Sequence, residues 1–278
     1  MPIHDQGYRR YRGRRLAAGG VWWVIARAQM AASLRQRRFW WLLLAAWLPF
    51  LVRAVQIYLS ANFQQASFLA ATAQTYRDFL GQQSLFVFLV TIALAGAIAD
   101  DRRANALVLY LSKPLSRVEY VTGKLVALLV FLLGVTLAPA LLLVLLQVIF
   151  SGTIAFVAAN LFLLPAIVLF SVIEALVASL AILALSSLSK NRRFVSILYA
   201  GTVFFSGAMV RALRAMTGSS TWAVVSPADV LGVVGDAVFR SPRPPVVPVP
   251  LAAAAVVVLV GVALAVLERR IRAVEVVS

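Results

Sequence analysis

Long apolar runs separated by clusters of arginine and lysine constrain this chain more than any other feature. The runs are about 20 residues long, the length that a helix needs to cross the hydrocarbon core of a bilayer. Hydrophobic residues make up 62% of the 278 residues, more than a soluble globular protein contains. The pattern therefore predicts an all-α polytopic membrane protein.

The apolar runs predict six membrane-spanning helices. The third run is long and contains Pro139, which predicts a tilt or kink there. We divide the chain into a basic cytoplasmic tail with an elbow helix, residues 1–38, and a six-helix transmembrane domain, residues 39–278. The predicted spans are 39–60, 83–100, 124–150, 161–188, 194–214 and 249–267.

Two further segments predict helices that do not span. Residues 21–38 combine tryptophans with arginines, which favours a helix at the membrane–water interface. A basic tail with no defined pose is the alternative. In the outer loop 215–248, the sequence at Ser226 and Pro227 is typical of a helix start. Gly232 and Gly235 predict a tight turn between two short helices.

Loop charge orients the predicted spans. The segments on one side hold 20 lysines and arginines, whereas the opposite loops and the outer end of span five hold at most 5. Cationic residues concentrate in cytoplasmic loops, so we expect both termini in the cytoplasm and the protein in the cell's inner (cytoplasmic) membrane. This placement accounts for the net charge of +16 without nucleic acid. Arg27 interrupts the early apolar run, so no secretory signal is expected.

The composition leaves little room for catalysis. The chain has no cysteine, and its one histidine, His4, lies in a polar tail. This excludes disulfides and thiolate sites, and makes a histidine-based metal or acid–base site very improbable. Paired carboxylates occur only at Asp100 and Asp101, at a charged membrane edge. We expect no catalytic residue, no metal site and no cofactor on this chain.

The loop after span two has a helix–break–helix pattern. Its first half places apolar side chains at helical spacing, namely Leu107, Tyr110 and Leu111. Pro114 ends that helix. Ser116 and Glu119 then form a capping box, in which each side chain accepts from the backbone amide of the other. The short apolar helix must pack either on a partner or on this protein's own helix ends, and the residues alone leave both open.

Residues 100–124 resemble the first cytoplasmic loop of ABC transporter type 2 family permeases. Those chains commonly show L-L-x-x-P-x-S-R followed by Y-x-x-G-K before the third span. The matching residues here are Leu111, Pro114, Ser116, Arg117, Tyr120, Gly123 and Lys124. The six-span layout and the basic tail are also similar. The family often has Glu and Gly-Thr-Leu early in this loop, where this chain has Asp100-Asp101 and Asn105-Ala106-Leu107.

The resemblance implies a coupling helix that docks on a separate ATP-hydrolysing subunit. The residues it assigns to this contact are Asp101, Leu107, Tyr110, Leu111, Pro114, Ser116, Arg117, Tyr120 and Lys124. A second, smaller contact is implied for the loop after span four, at Lys190, Asn191 and Arg192; the alternative is that these residues only set topology. Gly123-Lys124 lacks the glycine spacing of a P-loop, so ATP and magnesium are expected on the partner.

Glu174 lies at the centre of span four, where an ionised group is costly. It predicts either a translocation-pathway site, together with Arg53, or a structural contact such as an inter-span hydrogen bond or a pair with Arg53 or Arg211. Small residues around it favour close packing and a dimer seam.

The leading hypothesis is the permease subunit of an ATP-driven exporter, in contact with membrane lipids and a second copy or a paralogue. The alternatives are a proton- or ion-coupled secondary transporter that uses Glu174, and a non-transport membrane scaffold.

Overall fold

The computed structural model describes residues 20–105 and 116–271, and the regular structure in these ranges is helical throughout. Six helical segments there are long and apolar enough to cross a membrane, each overlapping one predicted run. The predicted all-α polytopic fold is thus confirmed. Spans one to six are Arg37–Asn62, Ala73–Arg103, Arg117–Ser151, Leu163–Leu188, Arg192–Thr217 and Val249–Arg270.

Shorter helices flank and connect the spans. An amino-terminal helix, Val21–Leu34, precedes span one. A 3₁₀ helix, Gln64–Leu69, joins spans one and two, and Ala155–Ala159 joins spans three and four. Between spans five and six lie a second 3₁₀ helix, Thr221–Val225, and the helix Pro227–Val238. We call the latter the outer helix, after the side of the membrane predicted for it. The division of the chain at residue 38 and the interfacial position of the amino-terminal helix stay predictions.

Prolines interrupt two of the spans. In span three the first helix ends at Val135 and the next begins after Thr136. Pro139 has no amide hydrogen to donate to the Val135 carbonyl, and its ring crowds that carbonyl. The irregularity expected at Pro139 is therefore present as a break at Thr136, about one turn before the proline. Span one is interrupted at Trp47, two residues before Pro49, in the same way.

Span four is the central helix of the bundle. In its most apolar window 67% of the residues are buried, against 11% in spans one and six. Two clusters of buried side chains pack along it, one around Leu183 and one around Ile167. A polar residue on span four therefore faces other spans rather than lipid.

The amino-terminal helix packs closely on span three. The contact is at Gly123, where a β-carbon would lie 2.6 Å from the Trp22 carbonyl oxygen and 2.8 Å from Ile25 Cβ. Real β-carbons do not approach other atoms this closely, so glycine is what lets the two helix backbones meet.

The outer helix begins at the predicted residue. It does not turn at the two glycines for which the sequence predicts a turn. Ser226 Oγ accepts a hydrogen bond from the Asp229 amide at 3.3 Å, and Pro227 occupies the first turn. The tight turn expected at Gly232 and Gly235 is wrong, because both lie inside one continuous helix. At Gly235 the helix passes so close to Arg77 and Phe170 that a β-carbon would lie 2.8 Å from each.

Candidate functional site

The start of span three is fixed by the predicted capping box. The Glu119 amide donates to Ser116 Oγ at 3.2 Å, and the Ser116 amide donates to Glu119 Oε2 at 2.9 Å. These bonds satisfy donors that a helix start leaves unpaired. The predicted contact residues in the first half of the loop lie outside the described residues; they are Leu107, Tyr110, Leu111 and Pro114.

The carboxylate of Asp101, at the end of span two, joins three helices. It accepts a hydrogen bond from the Tyr120 hydroxyl at 2.7 Å and forms an ion pair with Lys124 Nζ, also at 2.7 Å. Lys124 Nζ in turn donates to Gln29 Oε1 of the amino-terminal helix at 2.7 Å. The three groups around Asp101 therefore tie span two, span three and the amino-terminal helix together. We call Asp101, Tyr120, Lys124 and Gln29 the Asp101 brace.

Burial separates the predicted partner contacts into two sets. Tyr120 is 0% exposed and Lys124 is 5% exposed, and both side chains bind Asp101 of this chain. Their predicted contact with a partner stays a prediction. Ser116 and Arg117 are exposed at the surface, and Asp101 is half-buried.

Ser186 of span four is hydrogen-bonded to the backbone near the end of span two. Its hydroxyl accepts from the amides of Ile98 at 3.1 Å and Ala99 at 2.9 Å, and donates to the Ala95 carbonyl at 2.8 Å. A serine hydroxyl can donate one hydrogen bond and accept two, so Ser186 uses its full hydrogen-bonding capacity. Ser186 thus satisfies backbone groups left free where the helix of span two is interrupted next to Gly96.

Two arginines add to this link. The Arg102 guanidinium donates to the Ser187 carbonyl, and the Arg192 guanidinium donates to the Ala93 carbonyl. Each bond runs between the end of span two and the turn from span four to span five. The end of span two, the end of span four and the start of span five are therefore connected by directed hydrogen bonds.

The second predicted contact surrounds a polar hollow of about 690 Å³ between the loops. Asp100 and Arg103 line one side, and residues 189–193 line the other. Asn191 caps span five, since its side chain accepts from the Arg193 amide at 3.0 Å. Lys190 is exposed at the surface. Asn191 therefore stabilises the start of span five, in addition to its predicted contact with a partner.

A second cavity, of about 510 Å³, lies within the membrane-spanning part of the bundle. Its walls come from spans two, four, five and six and from the outer helix. Glu174 lines it and is only 3% exposed. Ser84 Oγ of span two donates to Glu174 Oε1 at 2.5 Å, while Oε2 has no hydrogen-bond partner among the described residues. We call this the span-four cavity.

Neither of the arginines predicted as ionic partners of Glu174 is paired with it in the described part of the chain. Arg53 donates to Gln56 Oε1 at 2.7 Å on its own helix and does not line the span-four cavity. Neither Arg53 nor Arg211 forms an ion pair with Glu174 in the described structure. The inter-span hydrogen bond expected as one alternative is present, and Ser84 makes it.

Sequence reasoning missed the buried ion pair of Arg77, which lines the same cavity near Phe170. The predicted second span, 83–100, leaves Arg77 in the loop before it, but the helix of span two begins at Ala73 and includes Arg77. Its Nε donates to Asp236 Oδ1 at 2.9 Å, and its Nη2 donates to the Gly232 carbonyl at 2.9 Å. The guanidinium also lies 5.1 Å from the centre of the Phe170 ring.

Only weak sequence features pointed to this pair. Thr72 and Thr75 form a capping box at the helix start, but the second position holds a threonine where glutamate or glutamine is typical. Nothing in the sequence connects Arg77 with a residue of the outer helix, because the two lie 159 positions apart.

A family model described as ABC-2 family transporter protein matches residues 23–222. The chain belongs to the ABC-2 transporter family. The matched range contains the Asp101 brace, the loops 100–124 and 189–193, and Glu174, while the outer helix and span six lie beyond it. A search of curated protein sequences gives no match to this chain.

Membership in the ABC-2 family supports a multi-pass membrane permease with a role in transport. A permease of this family is a transmembrane subunit that is not itself catalytic and has no cofactor of its own. Such permeases typically work with an ATP-binding subunit.

Proposed function

We propose that this chain is the permease subunit of an ATP-driven exporter and that it docks a separate ATP-binding subunit through loops 100–124 and 189–193. The partner binds and hydrolyses ATP with magnesium. Two copies of the chain, or one copy and a paralogue, complete the transporter. Both termini face the cytoplasm in the cell's inner membrane, and the direction of export follows the family resemblance.

The observation that carries this proposal is the connection of both loops to the spans. Asp101 joins the first loop to span three, and Ser186 joins the end of span two to span four. Side chains held by several directed bonds keep one geometry, so a displacement of the loop moves the helices with it. This is the mechanical property that a motor-driven permease needs.

The two sets of loop residues have different tasks in this mechanism. Residues 106–115, with Leu107, Tyr110, Leu111 and Pro114, provide the contact surface together with exposed Arg117 and Ser116. Lys190 and its neighbours provide the second contact. Tyr120 and Lys124 lie beneath and transmit the movement through Asp101. Closure of the ATP-binding subunits then rocks the spans and opens or closes a path that includes Glu174.

Co-purification from detergent tests the proposal. The full chain is compared with a Tyr110→Asp/Leu111→Asp double variant in its native host, and captured proteins are examined for a P-loop sequence. The expected result is an ATP-binding subunit that remains bound to the wild-type chain and is lost from the variant. The purified complex should then hydrolyse ATP.

Two controls make the comparison specific. A Phe63→Asp/Phe68→Asp variant places the same charges on exposed aromatic residues of the loop between spans one and two, on the opposite side of the membrane, and should keep the partner. A Tyr110→Phe/Leu111→Ile variant should also keep it. Loss of the partner in either control, or capture of no P-loop protein by the wild type, would count against the docking model.

A second candidate function rests on Glu174. A carboxyl group buried in a membrane cavity is typical of proton and ion relays. If the wild-type chain captures no ATP-binding protein, proteoliposomes with an imposed proton gradient test this function. Gradient-driven uptake that a Glu174→Gln variant abolishes would replace the ATP-driven model.

A further inference from the structure

The span-four cavity is elongated. Its lining runs along span four from Phe170 to Leu188, which is about 27 Å at the rise of an α-helix. Because its volume of about 510 Å³ is spread along this helix, an extended molecule fits the cavity better than a compact one.

The walls of the cavity are apolar along most of this length. Phe88, Val177, Ala181 and Leu185 are among the side chains that line it. Thr202 also lines it, but its hydroxyl donates to the Leu198 carbonyl of its own helix at 2.8 Å. A sugar or peptide would leave its polar groups without partners against such walls, at a high cost in free energy. The walls fit an alkyl chain.

The charges at the cavity do not balance. Arg77 is matched by Asp236 and also donates to the Gly232 carbonyl. Glu174 receives one hydrogen bond, from Ser84 to Oε1, and its Oε2 has no hydrogen-bond partner among the described residues. A buried carboxylate requires a cation or further donors. The group that binds here should therefore bring a positive charge with N–H donors.

The position of Glu174 sets the orientation of such a molecule. Glu174 is four residues from Phe170 and 14 residues from Leu188, so about 21 Å of groove lies on the Leu188 side and about 6 Å on the Phe170 side. Leu188 is 40% exposed, which places that end of the groove at the protein surface. The long arm is where an alkyl tail would lie.

We propose that the span-four cavity binds a single-chain amphiphile with a primary ammonium head group, which pairs with Glu174 while its alkyl tail extends along span four toward Leu188. This amphiphile class is the cargo of the transporter, a role that rests on the proposed function. The binding itself does not depend on the motor. An anionic amphiphile is disfavoured, because its head would meet the Glu174 carboxylate.

Equilibrium binding to the full-length purified chain in lipid nanodiscs tests the proposal. The probe is hexadecylamine with a photoreactive group on its chain, and the competitors are unlabelled hexadecylamine, hexadecanol and hexadecanoate. We expect the amine to compete at least about tenfold better than the alcohol or the acid, the scale of a close charge pair in a protein site. Photolabelling should map to span four and to the facing residues of spans two and six.

Matched variants separate the head group from the tail. Glu174→Gln keeps the shape and removes the charge, so amine binding should weaken by about tenfold or more while alcohol binding is unchanged. Glu268→Gln makes the same change at an exposed position near the end of span six and should have no effect. Ala181→Phe fills the groove and should weaken amine and alcohol alike. Each variant is first required to match the wild type in melting temperature to within a few degrees.

Several outcomes would overturn the proposal. Equal competition by amine, alcohol and acid, or a Glu174→Gln variant that binds the amine like the wild type, would remove the role of the carboxylate. Labels spread over lipid-facing side chains rather than the groove would show ordinary lipid contact.

The binding measurement uses no ATP-binding partner. If the amine binds but no ATP-binding subunit co-purifies with the chain, the binding site stands and the proposed function is refuted. If a subunit co-purifies but the amine does not bind, the proposed function stands and this inference is refuted.

Discussion

The guanidinium of Arg77 in span two donates to the carboxylate of Asp236 in the outer helix, with Nε 2.9 Å from Oδ1, across 159 positions of sequence. Both side chains are largely buried, with 9% and 23% of their surface exposed. The pair fixes the outer helix over one end of the span-four cavity.

Removal of one member of this pair should destabilise the protein. Arg77→Gln leaves Asp236 without its cation in a place with little access to water, so we expect the free energy of unfolding to fall by about 3 kcal/mol. Thermal unfolding in detergent measures the change. Arg243→Gln is the control, because it breaks an exposed pair with Asp78 and should cost less than about 1 kcal/mol. Equal effects of the two variants would contradict the assigned role of Arg77.

Gly235 should not tolerate a β-carbon. A β-carbon there would lie 2.8 Å from Arg77 Cζ and Nε and from the Phe170 ring. Gly235→Ala should therefore displace Arg77 and lower the melting temperature of the protein. Gly232→Ala on the same helix meets no atom within 4 Å and should be neutral or stabilising by up to about 1 kcal/mol through helix propensity. A stabilising Gly235→Ala would show that the guanidinium can relocate freely.

The Asp101 brace should behave as one unit in a double-mutant cycle. Lys124→Met removes the cation beside Asp101 and should cost about 3 kcal/mol in the free energy of unfolding. Tyr120→Phe removes one hydrogen bond to a charged acceptor and should cost about 1.5–3 kcal/mol. Because both bonds converge on one carboxylate, the double variant should differ from the sum of the single costs by at least about 0.5 kcal/mol.

Lys190→Met makes the same change as Lys124→Met at an exposed position and is the control for this cycle. We expect it to alter stability by no more than about 0.5 kcal/mol. If the changes in the free energy of unfolding caused by Lys124→Met and Tyr120→Phe simply add, the two residues act separately. That result would count against transmission of movement through the brace.

Gly123→Ala should separate the amino-terminal helix from span three. Its β-carbon would lie 2.6 Å from the Trp22 carbonyl oxygen, which cannot move without the helix. The chain has no cysteine, so a Ser33→Cys reporter can be labelled alone. Ser33 is 5% exposed, and we expect its maleimide labelling to accelerate several-fold when Gly123 is replaced. Gly134→Ala meets no atom within 4 Å and should leave the labelling rate unchanged.

The local features of this protein follow from its sequence because they depend on neighbouring residues. The length and hydropathy of the apolar runs determine six spans, and the Ser116–Glu119 and Ser226–Pro227 motifs determine where two helices begin. Pro139 determines the break in span three through a missing amide hydrogen. The loop motif was also sufficient to suggest the transporter family.

The tertiary structure alone decided which side chains meet across spans. Ser84 and Glu174 are 90 positions apart, and Asp101 reaches both span three and, through Lys124, the amino-terminal helix. Such contacts depend on how each helix is rotated and shifted against its neighbours, which the packing of the whole bundle fixes. From its hydropathy profile the sequence places Arg77 in a loop, whereas in the folded protein Arg77 contacts Asp236, Gly232 and Phe170.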